Sequence, residues 1–219
     1  MRMTACVIRG LLVLATLVAT HSLLPDSALA WDRYHRDRPS HLRLLGGAHF
    51  GFVGEIEPER RGILFDNDYD LATTYGGHFG VDAVVFRFFA IGGEARFSAW
   101  NTEEAEARDV RRSFFLEFDV KPRLRFAFAR ERMEFYFSTP LGLTVPILSR
   151  DINQDGRLDG KPGFNLGVGG GFTFFITEKF GLNVEPMYVM RWFGVDAPAG
   201  DIDLQMRQFT LFTNMVVAL

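Results

Sequence analysis

Three groups of residues have types and spacings suited to chemistry. The sharpest is the run Asp151-Ile152-Asn153-Gln154-Asp155-Gly156-Arg157-Leu158-Asp159. Asp151, Asn153, Asp155 and Asp159 put side-chain oxygens at positions 1, 3, 5 and 9, the Arg157 carbonyl is available at position 7, and Gly156 permits the turn between them. Calcium takes hard oxygens converging from such a turn. Position 12 is Pro162 where a bidentate Glu would stand, so the expectation is a weak extracellular calcium site and not a tight sensor. A solvated Asp/Asn/Gly turn is the other reading. The run Asp66-Asn67-Asp68-Tyr69-Asp70 lacks the glycine and reads as a polar loop. The second group is His49 and His78 with Asp82, from which a metal site or a proton relay can be drawn, although satisfied interior histidines are the commoner use of such a pair. The third is Ser98, Ser113 and Ser149, beside which no histidine can be assigned from the sequence. No Gly-x-Ser-x-Gly, His-Glu-x-x-His or Gly-Lys-Ser/Thr motif occurs. Gly169-Gly170-Gly171 falls inside a strand pattern and opens no helix, so it is not a nucleotide loop.

The chain that must position these residues has 219 of them, 24 Lys+Arg against 27 Asp+Glu, 47% hydrophobic and 14% aromatic. That is neither a disordered nor an acidic solvating composition. The charge balance argues against nucleic acid as a partner, because neutralising phosphates needs a basic surplus. The pairing of 22 Gly with 23 Phe is unusual for a soluble helical domain.

Residues 1–30 read as a cleaved secretory signal peptide: Arg2 and Arg9, an apolar stretch from Leu11 to Ala19, and the ending Ala28-Leu29-Ala30 before Trp31. Its removal also removes Cys6, the only cysteine. Disulfides, thiol catalysis and Cys-based zinc are then excluded from the mature chain. Residues 31–40 are expected to be a periplasmic N-terminal segment and 41–219 the folded domain.

That domain alternates with period two. From Phe114 to Phe126 the even positions carry Phe114, Leu116, Phe118, Val120, Pro122, Leu124 and Phe126, whereas the odd positions carry Phe115, Glu117, Asp119, Lys121, Arg123 and Arg125. Phe180–Trp192 and Phe209–Leu219 repeat the pattern. The same test predicts eight strands near 41–54, 73–86, 89–100, 112–127, 133–148, 163–176, 179–193 and 204–219. Tight turns at 87–88, 129–132 and 177–178 alternate with longer loops at 55–71, 101–111, 149–162 and 194–203, as in an up-and-down meander with two unlike ends.

The polar faces are rich in glycine, at Gly76, Gly80, Gly92, Gly142, Gly167, Gly169 and Gly171. Small residues suit a narrow interior crowded by long charged side chains. Aromatics gather at both ends of the apolar faces: Phe86, Phe88, Phe126, Phe128, Phe135 and Phe137 near the turns, and Tyr75, Trp100, Phe114, Phe164, Trp192 and Phe209 near the loops. Two aromatic belts around an apolar band are what a bilayer selects. The expected fold is therefore an all-β, eight-stranded antiparallel up-and-down transmembrane barrel, apolar outside and polar within.

On these features the chain resembles the small eight-stranded outer-membrane barrels of Gram-negative bacteria, of the OmpA transmembrane domain, OmpX and OmpW type. The resemblance implies location in the outer membrane, contact with its lipid and lipopolysaccharide, and a terminal strand Phe209–Leu219 presented to the barrel-assembly machinery. Such strands usually end in an aromatic, and this one ends in Leu219. The spacing at Asp151–Asp159 is similar to the calcium loop of EF-hands and dockerins, without their flanking helices.

Inward-facing positions are expected to place Arg43, Asp82, Glu94, Arg96, Glu117, Asp119, Lys121, Arg123, Arg125, Glu134, Glu185, Arg191 and Arg207 in the lumen. Charges of nearly equal number in a low-dielectric tube should pair. An eight-stranded barrel encloses room for little but side chains, so the expectation is a closed, ion-paired lumen and a structural or surface-interaction role without enzymatic activity. A small passive channel is the alternative, and a lipid-modifying enzyme a further one. No cofactor is required, and calcium is the candidate ion for the 151–159 loop.

Overall fold

The computed structural model describes residues 42–58, 68–129, 132–149, 159–197 and 200–219. The leader, the segment 31–40 and residues 151–158 of the calcium-like loop lie outside the described residues. The elements are β1 (Leu42–Pro58), β2 (Tyr69–Asp70), β3 (Thr74–Phe86), β4 (Phe89–Trp100), the one-turn helix α1 (Glu103–Ala107), β5 (Ser113–Phe128), β6 (Met133–Ser138), β7 (Leu141–Ile147), β8 (Asp159–Phe175), β9 (Phe180–Ala197) and β10 (Gly200–Ala218).

All pairings are antiparallel, and β10 pairs with β1 from Arg43↔Ala218 to Pro58↔Leu204, so the sheet closes on itself. Closure leaves no edge, which is what lets a sheet sit in hydrocarbon. β6 and β7 form one wall position, interrupted at Thr139-Pro140, where proline cannot donate to the ladder. The wall thus has the eight positions expected, and β2 is a two-residue addition on the outer end of β1.

The turns at 87–88 and 176–179 match expectation, but the loop ends do not. Residues 194–203 are not a loop: β9 and β10 stay paired out to Gly194↔Asp203, Asp201↔Asp196 and Gly200↔Ala197. Val195, Ile202 and Leu204 sustain the alternation there, and the polar residues between them occupy the outer face. β1 likewise continues past 54 to Pro58, and β8 begins at Asp159. Within 101–111, Thr102 caps α1 by accepting from the Ala105 amide.

Polarity is inside out. On β5 every odd position from Ser113 to Arg125 is buried, whereas Phe118, Val120, Leu124 and Phe126 are exposed. The outer wall carries Phe50, Phe79, Phe97, Phe135, Phe137, Leu143, Phe164, Leu182 and Met215, all exposed. One aromatic leaves its expected belt. Trp100 shares the even face of β4 with Glu94, Arg96 and Ser98 and lies buried inside.

Candidate functional site

The lumen is the candidate site, and it is layered. Of the thirteen charges expected there, twelve are buried, six basic and six acidic. Arg207 is the exception and corrects the expectation. Its neighbours Met206 and Gln208 both face inward and are buried, so alternation turns Arg207 outward, where it pairs with Glu55 and Glu57. Those two acids face outward because of a bulge: the β1–β10 register shifts between Phe52 and Gly54, with Val53 at φ 55°. The extra residue inverts the parity of β1 and delivers Ile56 to the interior.

Near the turn end, Glu134 holds both Arg43 at 3.0 Å and Arg125 at 2.6 Å. Arg43 also lies 5.2 Å over the ring of Phe175, which packs with Leu45 and Val216. Above this stands a continuous network of nine charges. Arg123 pairs with Asp82 and lies 3.9 Å from Glu185. Lys121 bridges Glu185 at 2.8 Å and Glu94 at 3.1 Å. Arg96 takes Asp119, with Glu94 at 3.6 Å and Glu117 at 3.7 Å, and Arg191 donates to Glu117 at 2.9 and 3.2 Å. Several of these pairs join strands that are not neighbours in the wall, so the network crosses the lumen and braces it.

Phe212 sits in the middle of this network. Its ring lies 5.3 Å from the His49 ring, 5.2 Å from the His78 ring, 5.3 Å from Lys121 Nζ and 5.5 Å from the Arg96 guanidinium. With Met187 and Val189 it forms an apolar layer within the charges. At the loop end a larger apolar layer seals the mouth: Ile56, Leu71, Trp100, Phe115, Phe193, Val195 and Met206. Trp100 stacks on Phe115 at 5.0 Å, and Phe193 meets Phe115 edge-on at 5.1 Å. The odd face of 114–126 carried Phe115 with the inward charges; only the structure makes Phe115 one plug with Trp100, Phe193 and residues from β1, β10 and the segment at Leu71.

Interior glycines explain how the histidines fit. His49 and Ser98 stand on either side of Gly76, in register with it, and His49 Nε2 reaches over it to Ser98 Oγ at 2.8 Å. A Cβ on Gly76 would lie 2.8 Å from Cε1 of His49 and 2.9 Å from its Nε2. Gly47 has the same position between His78 and Asn214, whose side chains are hydrogen-bonded.

The sequence paired no histidine with Ser98, and here the structure corrects it: the partner stands two strands away and is reachable only over a glycine. The pair is not a hydrolytic triad. Both residues are buried beneath the plug, and His49 Nδ1, where an orienting carboxylate would bond, has no partner among the described residues. Ser113 instead accepts from the Ser149 amide at 3.0 Å. Asp82 is committed to Arg123 and does not complete a relay with His78. Of the calcium-like loop only Asp159 is described. It opens β8 with its side chain exposed, opposite Asp196.

No protein-family model matches the chain, and no curated protein does. Solved structures do. Over 83% of this chain and 97% of theirs, the coordinates of the outer membrane protein OprG from Pseudomonas aeruginosa superpose with a TM-score of 0.57 at 9% identity. The outer membrane protein AlkL, determined in lipid bilayers, matches 83% of this chain and 90% of its own with a TM-score of 0.51 at 13% identity. At such identities the likeness is one of backbone and not of site residues. A closed antiparallel ring with a lipid-type exterior and a charged interior has the fold of the small outer-membrane β-barrels, and this chain has that fold.

Proposed function

We propose that the chain is an integral outer-membrane barrel with a closed lumen, non-enzymatic, acting as a structural or surface-interaction element through its wall and loops. The observation that carries this reading is the twelve-charge lumen, balanced in sign and capped by the Trp100–Phe115–Phe193 layer. A conducting pore needs a continuous polar path. Here the charges bind one another, and an apolar layer lies across the mouth. The tall β8–β9–β10–β1 wall carries Asp159, Lys161, Asp196, Asp201, Asp203, Arg207, Glu55 and Glu57 on its outer face beyond Phe164 and Trp192, a polar collar suited to contact with headgroups and with other molecules at the cell surface. The proposed partners are outer-membrane lipid and lipopolysaccharide, with the assembly machinery engaging Phe209–Leu219. Calcium binding by the 151–159 loop belongs to the same surface role, and a titration in which Asp155→Ala abolishes the response supports it.

Planar-bilayer recording tests the closed lumen. The expected record has no steady conductance steps, and a Trp100→Ala/Phe115→Ala variant, which opens the plug but leaves the ion network, stays closed. Steady single-channel steps that vanish when Arg123 and Arg125 are neutralised would overturn the proposal in favour of a passive channel.

A further inference from the structure

The lipid-facing wall carries three glycines that crowding does not explain. Most glycines among the described residues sit where a Cβ would strike a neighbour, but at Gly46 and Gly77 it would meet nothing nearer than 3.7 Å, and at Gly93 nothing within 4 Å. A glycine inside a strand weakens it and marks a place where a ligand or another backbone comes close. These three surround one side chain. Gly46 pairs with Phe79 across the β1–β3 ladder, Gly77 precedes Phe79 on the same face, and Gly93 and Ala95 lie beside it on β4. Phe79 is exposed and stands as a ridge above a lowered wall.

On the β4 side the lowered wall is a bounded slot. Register sets Ala95 between Phe79 and Phe118, and Gly93 between Val81 and Val120. The flanking strands β3 and β5 are two spacings apart, about 10 Å, which leaves the width of one alkyl chain over the Gly93–Ala95 floor. The hollow measures about 380 Å³. It is continuous with the lipid-facing wall, where a gap forfeits dispersion contacts, so hydrocarbon fills it.

We infer that this slot seats one acyl chain of an anionic phospholipid from the leaflet on the turn side, with the lipid phosphate at Arg87. The site rests on the lipid partnership proposed above for the wall. Depth and charge choose the lipid. Arg87 is exposed in the β3–β4 turn between Phe86 and Phe88, whose stacked rings belong to the aromatic girdle at the headgroup level. Gly93 follows Arg87 by six residues, or about 20 Å of strand. A strand tilt of ~40° turns that into roughly 15 Å of depth, half of a hydrocarbon core ~30 Å thick. A chain whose phosphate lies at Arg87 therefore ends at the slot. Its path runs past Ala83 and Pro122, the low neighbours of Ile91 in the row below. A guanidinium at the headgroup level favours a phosphate-bearing lipid of net negative charge.

The test places the full chain in vesicles of equal parts palmitoyl-oleoyl phosphatidylglycerol and phosphatidylcholine, checks insertion by flotation, extracts with a mild detergent and counts retained lipid by native mass spectrometry. The expected result is one phosphatidylglycerol per parent barrel and a loss of at least fivefold in Gly93→Leu, which fills the slot at a position where a Cβ strikes nothing. Arg87→Gln should lose the preference for phosphatidylglycerol over phosphatidylcholine, and Val168→Leu, at an exposed wall position on β8, should keep the lipid. Heat-modifiable mobility confirms folding of each variant. Flotation of the parent chain with no retained lipid overturns the site, as does undiminished retention in folded Gly93→Leu or an undiminished preference in Arg87→Gln. A dimer of parent barrels that dissociates in Gly93→Leu overturns it as well, because the open glycines then serve a second copy. A parent chain that does not float with the vesicles overturns the lipid partnership beneath the site.

Discussion

His49 Nε2 and Ser98 Oγ meet at 2.8 Å across Gly76, although their strands β1 and β4 do not touch in the wall. The glycine is what brings them together, because a Cβ there would collide with the Phe97 carbonyl oxygen and lie 2.8 Å from the His49 ring. Gly76→Ala is therefore expected to destabilise the barrel by about 1–3 kcal/mol, the usual cost of overpacking a close-packed interior. Gly93 is its control. A Cβ there meets nothing within 4 Å, and it lies on the outer wall, so Gly93→Ala is expected to be neutral. Urea midpoints of the two variants in detergent decide this, and equal midpoints would contradict the role given to Gly76.

Glu117 and Arg191 bond across the lumen from β5 and β9, and both are fully enclosed. Removing one partner strands the other. Glu117→Gln is expected to cost about 3–5 kcal/mol, and Glu117→Gln/Arg191→Met to recover most of it, since replacing a whole buried pair is far cheaper than halving it. Arg207 should behave otherwise. Its side chain is 34% exposed and pairs at the surface, so Arg207→Gln should move stability by no more than about 0.5 kcal/mol. Equilibrium unfolding of the three variants measures the contrast.

Val53 is a β-branched residue at φ 55° with its side chain 83% exposed. The left-handed backbone costs it about 1–2 kcal/mol, and no packing repays that. Val53→Gly relieves the strain at a smaller entropic cost, and a net gain of about 1 kcal/mol is expected. Deleting Val53 tests the bulge directly: Gly54↔Gln208 then follows Phe52↔Phe209 without an unpaired residue, Ile56 stays inside with Glu55 and Glu57 outside, and the heat-modifiable folded band should be retained.

Lys161 stands on the outer face above the apolar band, 2.5 Å from Asp196 and 2.6 Å from Asp201. Its hydrogen bonds to Asp196 and then to Asp201 hold its ammonium pKa above the ordinary lysine value, and the bond from Lys161, followed by that with Asp196, holds the Asp201 carboxyl below the ordinary range. The signs set the window. A lowered carboxyl pKa contributes stability that is present above the unfolded value of about 4 and fades as pH falls through the folded one; a raised lysine pKa contributes stability that is present below about 10 and fades as pH rises through its own folded value. Protease resistance of the β9–β10 tip should accordingly be flat from about pH 5 to 9 and fall on either side. The acid limb should be blunted in Asp201→Asn.

Much of this barrel was legible before any coordinates. Period-two alternation located every wall strand, and it assigned an inward face to Glu117, Lys121, Glu185 and Arg191 correctly because one side of each strand must meet hydrocarbon and the other must not. Alternation is local, however, and the errors arose where something non-local intervenes. A single extra residue at Val53 inverted the end of β1, and pairing with β9 extended β10 through what read as a loop. Arg207 and Trp100 went to the wrong side although their own alternation was correct, the one among the lumen charges and the other in the outer belt. Which acid holds which base, which serine meets a histidine, and that the two histidines lie ring to ring depend on strands brought together only by closure of the sheet. Residue order determined the faces, since burial repeats with the pleat; the partners across the lumen were decided by tertiary structure, because the shear and curvature of a closed barrel set those distances and no spacing along the chain encodes them.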